Sequence, residues 1–284
     1  MLSVLPLLSI VVPCYNSQST IMRLIESLRR QTLSSGWDVT FIDDHSIDHT
    51  VDAIISQIKP GTFQHADPRF RILRNPSKGA GSARNLGLEK SSGKYLWFID
   101  SDDYVLDPRA FETIFKAISE NPDVDLFTIN CAAVDGRGLK IEKSFTNLRA
   151  KPDLYGKMLS GSIDFAENFN VLYSVIGFPP WNKIVRRKFL EDSGIRFQNT
   201  LFCNDQYFSI RCMVEAQKLF LIPGSPLYCW SNAGHFHTSS PSFKKQHPEQ
   251  YDIVLKGLES GCKWPSDDIR DKVLKDRREQ FNRQ

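Results

Sequence analysis

The segment GKYLWFIDSDDYV, residues 93–105, carries the pattern that decides the fold. Residues 95–99 are all apolar or aromatic, as expected of a β-strand that is buried on both faces of a sheet. Three aspartates and a serine occupy residues 100–103, directly after this run. Carboxylates that follow a buried strand are costly unless they face water, a partner or a cation. The segment therefore predicts a central strand that ends at a polar site.

Strand-like and helix-like segments alternate through the first half of the chain. Strands are predicted at residues 7–12, 38–42, 70–73, 95–99 and 124–129. Apolar residues recur at helical spacing from Ile21 to Leu28, from Val51 to Ile58 and from Phe111 to Ile118. The alternation predicts an α/β fold in which helices flank a mainly parallel sheet. In such a sheet the ligand lies beyond the carboxyl ends of the strands.

The composition is that of an ordinary globular protein. The chain has 284 residues, and its 36 basic and 33 acidic residues give a net charge of +3, which is too even to argue for nucleic acid as a partner. Six cysteines are scattered without a C-x-x-C pair, so we expect reduced thiols and a cytoplasmic protein. No apolar run approaches the ~20 residues that a membrane-spanning helix needs.

The three aspartates after the fourth strand form a candidate metal site. Asp100, Asp102 and Asp103 are like charges close together in the chain, and a divalent cation would relieve their repulsion. A small set of oxygen ligands suits Mg²⁺ or Mn²⁺, with substrate phosphates as further ligands. Two loop histidines, His235 and His237, could add a metal or phosphate ligand. The alternatives are an acidic turn before the next helix and a pair of solvated histidines.

Two further segments contain candidate binding or catalytic groups. Lys78 and Arg84 lie in a glycine-containing loop that could approach a phosphate, and the alternative is a loop that simply feeds a helix. Arg84 stands where a dinucleotide fingerprint would need its third glycine, and the loop does not follow the first strand, so that motif is not predicted. Asp205 is a single acid in a neutral, aromatic segment, where a raised pKa would suit general-base catalysis. Its alternative role is to cap a helix.

Several segments, in one fixed order, resemble the family 2 glycosyltransferases. The stronger matches are SIVVPCYN at 9–16, FIDDHSIDHT at 41–50, GAGSARNLGL at 79–88 and GKYLWFIDSDDYV at 93–105. The weaker matches are PWNKIVRRKFL at 180–190 and NDQYF at 204–208, and the resemblance covers roughly residues 7–240. It implies a GT-A fold with a mixed, mainly parallel sheet. It also implies inverting transfer of a sugar from a nucleotide-diphosphate donor, for which UDP is the usual nucleotide of the family.

The strand-end positions and the resemblance together assign the site residues. The donor nucleotide would be bound by Pro13, Tyr15, Asn16, Asp43, Asp44, Lys78, Arg84, Asp100 and Ser101. Mn²⁺ or Mg²⁺ would be held by Asp102, Asp103 and His237. The acceptor or diphosphate side would contain Trp181, Lys183 and Asn204. Asp205 would be the catalytic base.

Two residues depart from the pattern that the resemblance implies. His45 replaces the usual glycine of a D-D-G-S motif, which bears on the pocket for the base of the nucleotide. Asn204 replaces the glutamate that usually precedes the position of Asp205, which bears on how the catalytic base is tuned.

The resemblance also suggests how the chain is divided and what it acts on. Residues 1–243 would form the GT-A domain, with a donor half at about 1–130 and an acceptor half at about 131–243, and residues 244–284 a helical extension. The implied acceptor is a saccharide or lipid-linked saccharide used in polysaccharide biosynthesis at the bacterial cell envelope. Residues 267–284 place apolar residues at four-residue steps among six basic and five acidic ones. This pattern predicts either a solvated helix or peripheral contact with the inner face of the cytoplasmic membrane.

Three other classes of function stay open on the sequence. An oxidoreductase that uses a dinucleotide would explain the alternating strands and helices but not the aspartates, and it would need a glycine fingerprint after the first strand. A nucleotide-sugar-binding protein without transfer activity would keep the donor site, although the presence of Asp205 argues against it. A sugar nucleotidyltransferase would need a glycine-rich loop at residues 13–16, where the chain reads PCYN.

Overall fold

The computed structural model describes residues 5–58, 67–135, 154–160, 173, 176–232 and 241–282. In the first part of the chain the elements are β1 (Leu8–Cys14), α1 (Ile21–Arg29), β2 (Trp37–Asp43), α2 (Thr50–Ile58), β3 (Phe70–Arg74), α3 (Ala80–Lys90), β4 (Tyr95–Phe98), β5 (Tyr104–Val105), α4 (Ala110–Glu120) and β6 (Leu126–Thr128). They continue as β7 (Cys131–Asp135), β8 (Met158–Ser160), β9 (Lys183–Arg186), α5 (Arg187–Asp192), α6 (Asn204–Glu215), β10 (Lys218–Leu221), β11 (Tyr228–Asn232), α7 (Pro241–Gln246), α8 (Glu249–Gly261) and α9 (Asp267–Asn282).

The main sheet has eight strands in the order β3-β2-β1-β4-β9-β6-β10-β8. β1 lies between β2 and β4 and is parallel to both, whereas β9 enters between β4 and β6 and is antiparallel to both. The sheet is therefore mixed and mainly parallel, and the predicted α/β class is confirmed. Three short strands form a second sheet in the order β5-β11-β7.

The main sheet is covered on both faces because its side chains alternate between two apolar clusters. Val11, Leu96 and Phe98 point toward the cluster that contains buried residues of α3, α5, α6, α8 and α9. Val12 and Trp97 point toward the other cluster, which contains buried residues of α1, α2 and α4. Burial on both faces explains why β1 and β4 read as continuous apolar runs in the sequence.

The C-terminal helix α9 belongs to this core. Ile269, Val273, Leu274 and Phe281 are buried in the same apolar cluster as α3 and α6. The apolar side of α9 is therefore buried inside the protein, and peripheral membrane contact through residues 267–284 stays a prediction. Among the residues that the structure describes, no helix has the length and apolar character that crossing a bilayer would require.

Three non-glycine residues of the described chain have a left-handed backbone, and each lies just outside a strand or helix. They are Asn16 after β1 (φ 50°), His45 after β2 (φ 65°) and Cys203 before α6 (φ 58°). In this conformation the Cβ of a residue lies too close to its own following carbonyl oxygen, which costs free energy. Glycine has no Cβ and adopts the conformation freely. The conformation at His45 gives a physical reason for the glycine that the resemblance led us to expect there.

We predict that the side chain at position 45 alters stability through backbone strain. His45→Val should lower the free energy of unfolding by about 1–2 kcal/mol relative to His45→Gly, because a β-branched residue tolerates a positive φ poorly. Urea denaturation of both variants measures the difference. The matched control is the same pair of changes at His49, which is exposed and does not have a positive φ. Equal differences at the two positions would contradict the prediction.

Candidate active site

A cleft of about 330 Å³ lies at the carboxyl ends of β1 and β4. Its lining contains eight of the predicted site residues, namely Pro13, Tyr15, Asn16, Asp44, Arg84, Asp100, Ser101 and Asp102. The cleft is also lined by Cys14, Ser17, Ser19, Thr20 and Ala80. The sheet thus brings together residues from four separate segments, as the strand-end argument predicts for a parallel arrangement.

Hydrogen bonds join the loop after β1 to the loop after β2. The backbone N–H of Asn16 donates to Ser46 Oγ at 3.1 Å, and Asn16 Oδ1 accepts from the N–H of Ile47 at 2.9 Å. Ser17 Oγ lies 2.6 Å from Ser101 Oγ, so the same loop is also hydrogen-bonded to the end of β4. These bonds hold the exposed Tyr15 ring at the mouth of the cleft, where 48% of its surface is accessible.

Asp43, the last residue of β2, and Asp44, the residue after it, have different surroundings. Asp44 reaches across to the loop before α3, where both of its carboxylate oxygens accept from the N–H of Gly79 at 2.9 Å and one also accepts from Asn75 Nδ2 at 2.7 Å. Asp43 accepts from the N–H of Ser46 at 3.1 Å and shapes its own loop. Asp43 and Lys78 are not among the residues that line the cleft, although both belong to the predicted nucleotide site.

The three aspartates after β4 form one compact group. Asp100, Asp102 and Asp103 each offer a carboxylate oxygen, and these atoms lie within 4.8 Å of one another. Burial, reinforced by the negative charge of Asp100, raises the pKa of Asp102 to about 6. Burial, together with the charges of both neighbours, also raises the pKa of Asp103 well above its usual range. A divalent cation would relieve these unfavourable charges, and an all-oxygen ligand set suits Mg²⁺ or Mn²⁺.

Strand β11 fixes Asp103 from behind. One of its carboxylate oxygens accepts from the Tyr228 hydroxyl at 2.6 Å, and the other accepts from the N–H of Ser231 at 2.7 Å. The Tyr228 oxygen also accepts from the N–H of Asp100 at 3.2 Å. Asp103 is fully buried, whereas Asp102 lines the cleft. The third predicted metal ligand, His237, lies outside the described residues.

Arg84 connects the aspartates to the start of α6. Its Nη2 donates to Asp100 Oδ1 at 2.7 Å, and its Nη1 donates to Asn204 Oδ1 at 2.7 Å. The side chain is buried, and its Nε has no hydrogen-bond partner among the described residues. Gly81 allows α3 to approach the segment before α6, because an added Cβ would lie only 2.2 Å from the carbonyl oxygen of Gln198.

Asp205 lies in the first turn of α6, next to the asparagine that Arg84 holds. Burial raises the pKa of its carboxyl group, and the positive charge of Arg84 offsets part of that effect. The charge of Asp100 acts in the same direction as burial. A carboxylate with a raised pKa is a stronger base, so the electrostatic setting of Asp205 is compatible with proton abstraction.

Trp181 and Lys183 lie in the protein interior, although the sequence led us to expect them on the acceptor or diphosphate side. Lys183 Nζ donates to the carbonyl oxygens of Gly177 and Pro179 and to Asn182 Oδ1, at 2.8–2.9 Å. Its three donors are therefore all in use, and burial lowers its pKa to about 7. Trp181 is 5% exposed.

Aromatic packing around Trp181 supports the aspartate group indirectly. Its ring stacks on Tyr228 with 5.4 Å between ring centroids, and its carbonyl oxygen accepts from Trp97 Nε1 at 2.6 Å.

Tyr228, Ser231 and Asn75 were not found by sequence reasoning. Their positions carry no local motif, and only the tertiary fold brings Tyr228 next to Asp103.

The sequence and the fold were compared with those of known proteins. The family model for glycosyl transferase family 2 matches residues 9–194, and the chain belongs to this family. It is 28% identical over 229 residues to EpsH of Bacillus subtilis, a match that covers 78% of this chain and 60% of EpsH. It is 26% identical over 250 residues to the poly(ribitol-phosphate) β-N-acetylglucosaminyltransferase TarS of Staphylococcus aureus, covering 87% of this chain and 39% of TarS. The match thus spans less than two thirds of the length of these relatives.

Solved structures show the same fold. The structure of S. aureus TarS 1–349 in complex with UDP-GlcNAc matches with a TM-score of 0.71 and 21% identity, covering 94% of this chain and 70% of that one. The mannosyltransferase PcManGT from Pyrobaculum calidifontis, in complex with GDP-Man and Mn²⁺, matches with a TM-score of 0.59 and 15% identity, covering 96% and 70% of the two chains. The predicted GT-A fold is confirmed by these likenesses.

We predict that Asp102 destabilises the metal-free protein and is needed for its response to metal. Because the folded state raises the pKa of Asp102 from an ordinary value near ~3.9 to about 6, metal-free stability should fall as pH rises through this interval. Asp102→Asn should therefore melt at a higher temperature than the natural protein in EDTA at pH 7.5. It should also lose the stabilisation that Mn²⁺ with UDP gives to the natural protein.

Thermal melting of both proteins in EDTA and in Mn²⁺ with UDP checks this prediction. Asp123→Asn is the matched control, because Asp123 is exposed and lies outside the cleft. A variant at position 102 that keeps the full Mn²⁺-dependent shift would exclude Asp102 as a metal ligand.

Proposed function

We propose that this protein is an inverting glycosyltransferase that transfers a sugar from a UDP-sugar donor to a saccharide or lipid-linked saccharide acceptor. The observation that carries the proposal is the pair of hydrogen bonds from Arg84 to Asp100 and to Asn204. Through them the aspartate group and the cleft would be joined to the start of α6, where Asp205 follows Asn204. The choice of UDP is supported by the TarS structure, which holds UDP-GlcNAc.

The cleft would bind the nucleotide part of the donor. Tyr15 and Pro13 would contact the base and ribose, with Asn16 and Asp44 holding the loops around them. Asp100, which lines the same cleft, would also bind the ribose. The guanidinium of Arg84 would stabilise the negative charge that develops on the departing diphosphate, since it carries a positive charge and lines the cleft.

The aspartate group fits Mn²⁺ or Mg²⁺, which would supply charge neutralisation for the leaving diphosphate. We assign Asp102 as the principal ligand, because it faces the cleft. Asp103 would add its charge and keep the group in place through its bonds to Tyr228 and Ser231. His237 would be a further ligand, as the sequence suggested. The Mn²⁺ in the mannosyltransferase structure supports this type of metal.

Asp205 would act as the general base. It would take the proton from the acceptor hydroxyl as that oxygen forms a bond to the anomeric carbon. The bond from the anomeric carbon to the diphosphate oxygen breaks on the opposite face, so the configuration inverts without a covalent sugar–enzyme intermediate. Asn204 would hold Arg84 rather than contact the acceptor, because its side-chain oxygen accepts from the guanidinium. Lys183 is not assigned to the diphosphate, since its three donors are already bonded.

The acceptor and the location of the protein rest on similarity. TarS is named for poly(ribitol-phosphate) as its acceptor, which supports a polymer of the bacterial cell envelope as the type of acceptor here. A cytoplasmic location would give the protein access to nucleotide-sugar donors, and it stays a prediction.

Asp205→Asn is expected to lower kcat by about 100-fold or more, because the amide cannot accept the proton. The dissociation constant for UDP with Mn²⁺ should change little. Release of UDP from UDP-GlcNAc and other UDP-sugars, in the presence of saccharide acceptors, measures turnover, and calorimetry measures binding. Asp192→Asn is the control, because Asp192 is exposed on α5. Normal turnover of the Asp205 variant would remove Asp205 from this role.

A nucleotide panel separates the proposal from its rivals. We expect UDP, rather than GDP, CDP, TDP or NAD, to raise the melting temperature, and only with Mn²⁺ or Mg²⁺ present. A ligand at ~100 times its Kd stabilises a protein by about 2.7 kcal/mol, which corresponds to a shift of about 5 °C for a chain of this size. A shift with NAD alone would favour the oxidoreductase. UDP binding without transfer to any acceptor tested would favour a nucleotide-sugar-binding protein.

A further inference from the structure

The first turn of α6 is held by two arginines, one on each side of Asp205. Arg84 donates to the side-chain oxygen of Asn204 at 2.7 Å, and Arg277 donates through Nη1 to that of Gln206 at 3.3 Å. Arg84 belongs to the proposed donor site, whereas Arg277 lies on α9, beyond the residues that the family model matches. The second arginine therefore has no role in the site as described so far.

Arg277 is a buried residue with a fixed orientation. It is 1% exposed, and its Nε donates to Asp276 Oδ2 at 3.1 Å. The same oxygen accepts from the Tyr173 hydroxyl at 2.8 Å. The guanidinium carbon lies 4.0 Å from the centroid of the Phe178 ring, which is within the range of a cation–π contact. These contacts leave the Nη1 group directed at Gln206.

Phe178 belongs to the segment at residues 176–179, in which each backbone carbonyl group accepts a hydrogen bond from a side chain. Asn182 Nδ2 donates to the carbonyl of residue 176 at 2.6 Å, Lys183 Nζ donates to those of residues 177 and 179, and Ser209 Oγ donates to that of Phe178 at 2.5 Å. Ser209 is itself on α6. Arg277 thus contacts a segment that is rigidly connected to the same helix that carries Asp205.

The start of α6 lacks the local interactions that usually stabilise the beginning of a helix. No side-chain hydrogen bond caps the helix, and Cys203, the residue before it, has a strained left-handed backbone. The first turn would move easily if only helical hydrogen bonds held it. A shift of Asp205 by about 1 Å would be enough to disturb proton transfer to a bound acceptor.

We propose that Arg277 is a positioning residue that fixes the first turn of α6, and so the carboxylate of Asp205, against the segment at residues 176–183. This proposal rests on the proposed function, because it assumes that Asp205 is the base. It makes α9 part of the working enzyme rather than an appended helix. It also gives Asn182 and Lys183 a function, because both hold the segment that Arg277 contacts.

Two variants test the proposal from opposite sides of one hydrogen bond. Arg277→Lys keeps the charge and most of the length but loses the planar fork, and Gln206→Met keeps the length but loses the acceptor oxygen. Each should lower kcat by about tenfold or more, while the Kd for UDP with Mn²⁺ stays within about twofold. The double variant should be no slower than the slower single variant, because both changes break the same contact.

Arg278→Lys is the matched control. Arg278 is the next residue on α9, is exposed and is bonded to Glu259 on α8, so this change should leave kcat at the natural value. All variants are assayed below their melting temperatures, with the folded fraction measured by circular dichroism. A loss of kcat that follows the folded fraction, or that comes with an equal loss of UDP affinity, would show a merely structural role and overturn the proposal.

Asp205→Asn is assayed beside them to separate this proposal from the one on which it rests. If that variant is slow while Arg277→Lys and Gln206→Met keep full kcat, the positioning role is wrong and the proposed function stands. If Asp205→Asn keeps full turnover, the proposed base is wrong, and the positioning role falls with it. Gln206 is only half-buried, so its variant keeps the test decisive even if Arg277→Lys does not fold.

Discussion

The site depends on the repulsion among three carboxylates that β4 brings together. Asp100, Asp102 and Asp103 lie within 4.8 Å of one another, at the end of a strand that is buried on both faces. Such a group is stable only if the protein divides its charge among different partners. Arg84 donates a hydrogen bond to Asp100, and Tyr228 and Ser231 of the second sheet donate hydrogen bonds to Asp103. Asp102 lines the cleft. That division leaves Asp102 as the carboxylate that we propose as the principal ligand of a cation.

The short second sheet therefore helps to hold the aspartate group in place. β11 carries Tyr228 and Ser231 to Asp103, and it pairs with β5, which follows the aspartates directly. The stack of Trp181 on Tyr228 continues this support into the segment before β9. A change in that segment would reach the aspartates through packed rings and short hydrogen bonds, without touching the donor itself.

The sequence predicted the strands and helices of the first part of the chain well because their signals are local. The apolar runs at β1 and β4 and the helical spacing in α1, α2 and α4 each fall within a few residues, and so do the polar residues at the strand ends. β9 and β11 could not be predicted in this way, because each takes its position from partner strands that are distant in the sequence. The burial of Lys183 could not be predicted, because lysine is normally exposed. α9 was ambiguous because an apolar helix face has the same spacing whether it meets a membrane or a protein core.

Arg277 is the residue of α9 that least fits a purely structural account. The other buried residues of that helix are apolar, and the spacing would allow an apolar side chain at 277 as well. Burying the arginine removes its charge from water although Asp276 beside it stays partly exposed, and apolar replacements of buried charged groups are often as stable. What a leucine could not supply is a directed donor to Gln206 together with a flat contact on Phe178. The presence of an arginine at this position therefore favours orientation of the turn at Asp205, rather than stability alone, as its function.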